Sequence, residues 1–390
     1  MTRVLVLGGA GGSGQLVARL LAASDLVSEL VIGGRRLEPA EEFAKELGSK
    51  ATPLRVDALN EGEVVEALAG CDLVVNLAGP EYVVSVTPLR AAIRAGADYC
   101  DIACEASITE RALELDAEAR KAGVTAITGI GAVPGVSNLL MLQAAKQFER
   151  ADSVTLCNYW PLSHDDLKAS LEEIEKTNRV SAGWQMMLRW ASGKVRSFED
   201  GKLTTLDPTR TSWDVALPQG GTVSAHPACS PEPITLPLHL SGIRTVRNVI
   251  VFLPPQVDRV YHQCADRITS GELDSASSVR RFLEAALKES PEWPPTMERY
   301  PHAIGLWVTS SGRKGARHGR YTCWPAGEWL SWVGPAAVAG LRLLRGDVDK
   351  KGVLPPEACF EPMPFLAEVA RYTEKWPADG KLLNERTEWD

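Results

Sequence analysis

Arg3-Val-Leu-Val-Leu-Gly8-Gly9-Ala-Gly11-Gly12-Ser13-Gly14 runs directly into Gln15-Leu-Val-Ala-Arg-Leu-Leu21. Val4–Leu7 is a short apolar run of strand type, and Gly14–Ala23 has the apolar spacing of a helix. Between them the spacing Gly9-x-Gly11-x-x-Gly14 places residues without side chains where a strand turns into a helix. Gly8-x-x-Gly11-x-x-Gly14 is an alternative reading of the same stretch. Such a turn lets the backbone approach a pyrophosphate, and the helix N-terminus offers N–H groups and the positive end of its dipole to that anion. Gly9, Gly11, Gly12, Ser13 and Gly14 are therefore the expected phosphate contacts. A tight turn without a ligand is the plain alternative; the position at the head of a β–α–β unit argues against it.

Outward from this stretch, short apolar runs alternate with amphipathic ones. Arg3–Gly8, Glu29–Gly33, Thr52–Val56, Asp72–Leu77, Tyr99–Ala103 and Thr125–Thr128 read as strands. Gly14–Ala23, Glu38–Leu47, Glu61–Ala69, Pro88–Ala95 and Ile108–Ala122 read as helices, several closed by Gly48, Gly70, Gly96 or Gly123. This alternation implies an α/β fold, a doubly wound parallel sheet with helices on both faces.

The second strand then discriminates between cofactors. An NAD site usually carries Asp or Glu there, bonded to the ribose 2′-hydroxyl. Here the strand ends Val31-Ile-Gly-Gly-Arg35-Arg36. Two guanidinium groups stand in place of a carboxylate, and guanidinium pairs bidentately with phosphate. NADP(H) is expected, with Arg35 on the 2′-phosphate and Arg36 in support. Asp57, after the third strand, suits the adenine amino group or the start of the next helix. Asn76-Leu-Ala78-Gly79-Pro80 ends the fourth strand and is expected to border the cofactor.

Composition limits the other classes of function. The 390 residues are 45% hydrophobic and 24% charged, with a formal charge of −8. That argues for a globular chain and against broad nucleic-acid binding, which needs basic clusters. No apolar stretch reaches the roughly 20 residues of a membrane span. No secretory signal is evident, and the eight cysteines contain no CxxC pair. A cytoplasmic location with reduced thiols is expected.

After about residue 135 the pattern changes, and all eleven tryptophans lie at or beyond Trp160. Ser153–Tyr159, Trp213–Leu217, Val246–Leu253, Ala303–Ser310 and Tyr321–Trp324 read as strands of a mixed, mainly antiparallel sheet. Asp165–Ala191 and Gln256–Lys288 read as long helical stretches, with further helices at Gly334–Arg345 and Phe365–Glu374.

The chain resembles the saccharopine dehydrogenase-like oxidoreductases. The resemblance is carried by Val4–Gly14, Asn76–Pro80, Gly96-Ala-Asp-Tyr-Cys-Asp101, Gly129-Ile-Gly-Ala-Val-Pro134-Gly135-Val-Ser-Asn138, and Pro335–Gly346 with Lys351–Glu357. Relatives often have Asp before the Pro-Gly pair, where this chain has Val133. The resemblance implies a Rossmann-type nucleotide domain, residues 1–135 with 331–390, interrupted by a substrate-binding and dimerisation domain, residues 136–330. It also implies a homodimer and hydride transfer to or from a C=N/C–NH group of an amino-acid-derived small molecule. Reduction of a carbonyl or an activated C=C bond is one alternative, and a non-catalytic NADP-binding sensor or scaffold is another.

Candidate chemistry follows from strand ends. Asp101 and Glu105 could hold an iminium or relay a proton, with a strand-end turn and a helix cap as alternatives. Cys104 is expected to be a buried apolar residue. Pro134 and Gly135 stand at a helix start, with Ser137 and Asn138 available to bond, and could carry the nicotinamide amide or a substrate carboxylate; a plain helix start is the alternative. Arg244, Arg247 and His226 are candidate substrate contacts, with solvated arginines as the alternative. His226, His239, His302 and His318 show no HxxxH or HxxE spacing, so no metal is expected. No GxSxG elbow or P-loop is present.

Overall fold

A computed structural model describes residues 2–218, 220–253, 255–289, 305–372 and 379–390. His302, the first two residues of the expected strand Ala303–Ser310 and the last two of the expected helix Phe365–Glu374 lie outside them. The chain divides into two compact units. One is Met1–Leu142 with Trp329–Leu382, the other Gln143–Glu328 with Leu383–Asp390.

In the first unit, β1 (Arg3–Leu7), β2 (Glu29–Gly34), β3 (Ala51–Arg55), β4 (Leu73–Asn76), β5 (Asp98–Asp101) and β6 (Thr125–Ile127) are joined by Gly352–Leu354 in one sheet. Its order is Gly352–Leu354, β6, β5, β4, β1, β2, β3, and every pairing is parallel. Val4 lies level with Leu30 on one side and Leu73 on the other. Helices cover both faces, which is why β1, β2 and β4 are nearly continuous apolar runs. One face packs Leu5, Val31, Val74 and Tyr99 against Leu89, Ile93, Ile108 and Leu115. On the other lies the helix Gly334–Arg345, so close that a Cβ on Gly340 would stand 3.0 Å from Leu73. The chain winds from β1 outward through β3 and then returns to β4 on the opposite side of β1. The carboxyl ends of β1 and β4 therefore flank the switch point at which such sheets bind ligands.

The connecting helices relevant to that edge are α1 (Gly12–Ala22), α2 (Leu37–Leu47), α3 (Glu61–Ala67), α4 (Glu81–Val84), α5 (Thr87–Ala95), α6 (Ala106–Leu113) and α7 (Asp116–Ala122). The expected single helix Ile108–Ala122 is thus two. Gly96 and Gly123 close α5 and α7 in the left-handed conformation, as their positions suggest.

The second unit holds a nine-stranded mixed sheet. Arg150–Pro161 runs parallel to Thr245–Leu253 and antiparallel to Gly305–Lys314. Cys157, Tyr159, Val249, Val251 and Trp307 pack one core cluster. Each long helical stretch is divided. Asn178, left-handed at φ 50°, ends His164–Thr177 before Ser181 caps Ala182–Arg189. Gly271, at φ 76°, separates Pro255–Thr269 from Ser275–Glu289. The strands Val195–Glu199, Lys202–Leu206, Thr222–Pro227 and Leu383–Trp389 add to those expected. The last of these corrects the expected boundary. Leu383–Trp389 pairs antiparallel with Arg317–Pro325, so the chain's end completes the second sheet rather than the nucleotide domain.

Candidate active site

The turn after β1 is shaped by steric exclusion. Gly8 has φ +75°, and a Cβ there would stand 2.7 Å from the Leu77 carbonyl oxygen, across the switch point. A Cβ on Gly9 would meet the Val6 carbonyl at 2.9 Å, and one on Gly14 would collide with the Gly8 carbonyl. Gly12 faces open space, with nothing within 4 Å. Gly11 caps α1 in extended conformation without a side-chain bond, and the first turn carries no acidic residue. Gly11, Gly12 and Ser13 are exposed. The first N–H groups of α1 and its dipole therefore point at an accessible space with no anion of the protein's own competing for them. Gly8, which the Gly9-x-Gly11-x-x-Gly14 reading leaves out, is the position whose backbone most needs glycine.

Arg35 and Arg36 follow β2, exposed, with Arg36 at the N-cap of α2. Neither forms an ion pair among the described residues. Asp57 turns inward instead. Its Oδ1 accepts the Leu59 N–H at 3.1 Å and its own N–H donates to Glu63 Oε2 at 3.0 Å, while Asn60 caps α3. Asp57 thus shapes the approach to α3, and the N-cap itself is Asn60.

The turn after β4 is held by Asn76. Its Oδ1 accepts the Ala78 N–H at 3.1 Å and its Nδ2 donates to the Tyr99 hydroxyl at 3.1 Å. Both ends of the amide are engaged within the protein, so Asn76 shapes the turn that was expected to border the cofactor. Gly79 is exposed, its peptide bond to Pro80 is cis, and Pro80 caps α4.

Asp101 sits at the end of β5, 5% exposed. Its Oδ1 accepts from Gly129 N–H at 2.7 Å, Ala103 N–H at 3.1 Å and Thr128 Oγ1 at 3.3 Å, and its Oδ2 from the Tyr99 hydroxyl at 2.8 Å. Burial pushes its pKa up, and these donors pull it back. With four donors on it, the carboxylate ties the ends of β5 and β6 together. The iminium or proton-relay role expected of Asp101 remains a proposal beside this structural one.

The carboxyl better placed for proton transfer is Glu81, the first residue of α4 and next to the Gly79–Pro80 turn. Its Oε1 accepts from Glu105 N–H at 2.9 Å and Cys104 Sγ at 3.0 Å, and the Cys104 N–H lies 2.8 Å from Oε2. Burial dominates these donors, and the Glu105 and Asp101 carboxylates add repulsion, so the Glu81 pKa rises to about 7. Glu105 is buried at the N-cap of α6, and its backbone N–H donates to Glu81 Oε1. Cys104 is buried as expected, but its thiol is a donor to Glu81. A carboxylate directly after a cofactor-bordering turn was the readable signal for Glu81; the residues that raise its pKa come from β5 and the start of α6.

The loop 129–138 supports the site from below. Gly131 N–H donates to Pro134 O at 2.8 Å and Val136 N–H to Gly131 O at 2.9 Å, while Gly135 N–H donates to Asn138 Oδ1 at 2.9 Å. Gly135 has φ +120°, and a Cβ there would collide with Gly131. The backbone groups around Pro134 and Gly135 close on their own loop, which gives the turn a fixed shape.

In the second unit the three expected substrate contacts have other partners. Arg247 forms a bidentate pair with Glu199 at 2.6 and 2.8 Å and lies over the Trp213 ring. Arg244 bonds Asp200 at 3.1 Å. His226 faces Pro208 and Asp258.

Residues 4–127 match the family description "Saccharopine dehydrogenase NADP binding domain". Carboxyaminopropylagmatine dehydrogenase of Synechocystis is 24% identical over 403 residues, covering 96% of this chain and 97% of that protein. Saccharopine dehydrogenase [NADP(+), L-glutamate-forming] of Saccharomyces cerevisiae is 30% identical over 211 residues, 53% of this chain and 44% of that protein. The solved structure of the apo yeast saccharopine dehydrogenase (L-Glu forming) superposes with a TM-score of 0.60 over 100% of both chains at 18% identity, a likeness of fold. Residues 4–127 match a saccharopine dehydrogenase-type NADP-binding domain, and over the rest of its length the chain is similar to these dehydrogenases.

Proposed function

We infer that this NADP(H)-dependent oxidoreductase moves hydride to or from the carbon of a C=N/C–NH group in an amino-acid-derived small molecule. The observation that carries the reading is Glu81, a carboxyl with a pKa of about 7 placed directly after the turn beside the nucleotide site. Imine–amine interconversion needs a proton donor or acceptor near neutrality, because the nitrogen changes its proton count as the carbon gains or loses hydride. NADP(H), on the glycine turn, supplies or takes that hydride. The chain's own groups do the rest: α1 and Arg35 hold phosphate, and Glu81 Oε2 gives or takes the proton. The names of the two relatives, a carboxyaminopropylagmatine dehydrogenase and an NADP(+), L-glutamate-forming saccharopine dehydrogenase, support the same class.

NADPH consumption across a panel of cyclic imines and amine/keto-acid pairs tests the reading. Turnover on that panel, or NADP+ reduction by the corresponding secondary amines, is expected. Turnover confined to ketones or enoyl compounds, or tight NADPH binding with no consumption anywhere, overturns it. The homodimer implied by the resemblance is part of this proposal, and light scattering on the eluted protein tests it.

A further inference from the structure

His226, Asp258 and His262 converge in the second unit. His226 lies on the strand Thr222–Pro227, and Asp258 and His262 stand one turn apart on the helix Pro255–Thr269. Asp258 Oδ2 is 3.7 Å from His226 Nε2 and 3.7 Å from His262 Nε2, and the two imidazole centroids are 3.9 Å apart. The three ligand-type atoms all lie within 4.8 Å of one another. At 3.7 Å none of these contacts is a hydrogen bond.

His226 Nδ1 lies 2.9 Å from the Pro208 carbonyl. A carbonyl only accepts, so that nitrogen carries a hydrogen and Nε2 is the ring nitrogen turned toward the carboxylate. Asp258 Oδ1 accepts the Phe252 N–H at 2.8 Å, which fixes the carboxyl and leaves Oδ2 facing both rings. His262 is 8% exposed, and neither of its ring nitrogens has a hydrogen-bond partner among the described residues. Buried polar atoms normally have partners. Here two imidazole rings and a carboxylate oxygen converge with no hydrogen bond between them.

We propose that His226 Nε2, Asp258 Oδ2 and His262 Nε2 bind a divalent transition-metal ion of the zinc type. Two imidazoles and one carboxylate are a donor set for such an ion, which sits at roughly 2.0–2.2 Å from each ligand. Tetrahedral bonds of that length separate ligands by roughly 3.4 Å, so the two 3.7 Å edges need only a few tenths of an ångström of closure. The bonds to Pro208 and Phe252 are the outer contacts that commonly orient metal ligands and set their tautomers. Three protein ligands leave a fourth position for water or another donor. The ion would join the strand Thr222–Pro227 to the helix Pro255–Thr269. Sequence spacing does not disclose the set, because only Asp258 and His262 are close in the chain.

The full-length chain, stripped with a chelator, is titrated with Zn2+ by calorimetry and with Co2+ by absorption. One tight site per chain is expected, with Co2+ ligand-field bands and no thiolate charge-transfer band. Asp258→Asn and His262→Gln are each expected to weaken Zn2+ binding by about 100-fold or more, since loss of a ligand should exceed the 10–100-fold effect of an outer contact, while NADPH binding at the first unit stays unchanged. No binding by the wild type, or binding that survives either replacement, overturns the proposal. So does a thiolate band, which would place the ion on cysteine; this spectrum decides the matter even where a variant does not fold.

Discussion

At Glu81, three donors favour the anion and burial favours the acid, and burial wins. The ordinary glutamate pKa of 4.5 is raised to about 7. The native state therefore binds more protons than the unfolded chain between those values, so this group's contribution to stability falls as pH rises through that window. If Glu81 is the proton-transfer group, imine reduction should decline as pH rises above about 7 and amine oxidation as it falls below it. Glu81→Gln should remove that limb of the kcat/KM profile and lower kcat by about 100-fold or more. An intact limb in the variant would exclude it. Asp101→Asn tests the other carboxyl. Replacing an acceptor of four donors should destabilise the fold by about 2–3 kcal/mol in urea unfolding, whereas a kcat loss without that destabilisation would support its catalytic reading. Arg35→Ala should weaken NADPH binding at least about tenfold more than NADH binding, because a guanidinium pairs with the 2′-phosphate and has no such partner in NADH; equal losses would exclude the assignment. Arg35, Arg36 and the glycines were legible in the sequence because backbone turns and strand-end charges are local. Glu81 was not, since its pKa depends on Cys104, Glu105 and Asp101.

Among elements, the glycine turn separates folding from binding. Gly14→Ala should lower the unfolding midpoint sharply, because its Cβ would collide with the Gly8 carbonyl. Gly12→Ala meets nothing within 4 Å, so its stability should stay near wild type while NADPH affinity falls, the methyl group entering the space over the N-terminus of α1. Paired thermal and NADPH titrations of the two variants check this contrast. A second lesson lies in the hairpin Val195–Glu199 to Lys202–Leu206. Its turn residues Asp200 and Gly201 both have positive φ, 50° and 80°. Asp-Gly between strand-like runs is a strong hairpin signal, so this turn is legible in the sequence. The divided helices were readable in the same way, at Asn178 and Gly271.

For the whole molecule, the strand Leu383–Trp389 shows where local reading fails. Leu-Asn-Glu-Arg-Thr-Glu-Trp is mostly polar and weakly patterned, and Glu385, Arg386, Thr387 and Glu388 are exposed. What makes it a strand is its seven-residue register with Arg317–Pro325 and the bond from the Tyr321 hydroxyl to Glu385. Truncation after Leu382 should therefore leave NADPH binding by the first unit intact and expose the edge of Arg317–Pro325, with earlier unfolding and aggregation of the second unit. Loss of NADPH binding with no change in aggregation would contradict that division. The sequence alone was enough for the parallel β–α alternation of the nucleotide domain and for the cofactor, because β–α–β units are built from neighbours in the chain and announce themselves by period, glycine and charge. The tertiary structure decided the surroundings of Glu81 and Asp101, the partners of Arg244 and Arg247, and the meeting of His226 with Asp258 and His262. Those depend on burial and on approaches between distant segments, which no local pattern encodes.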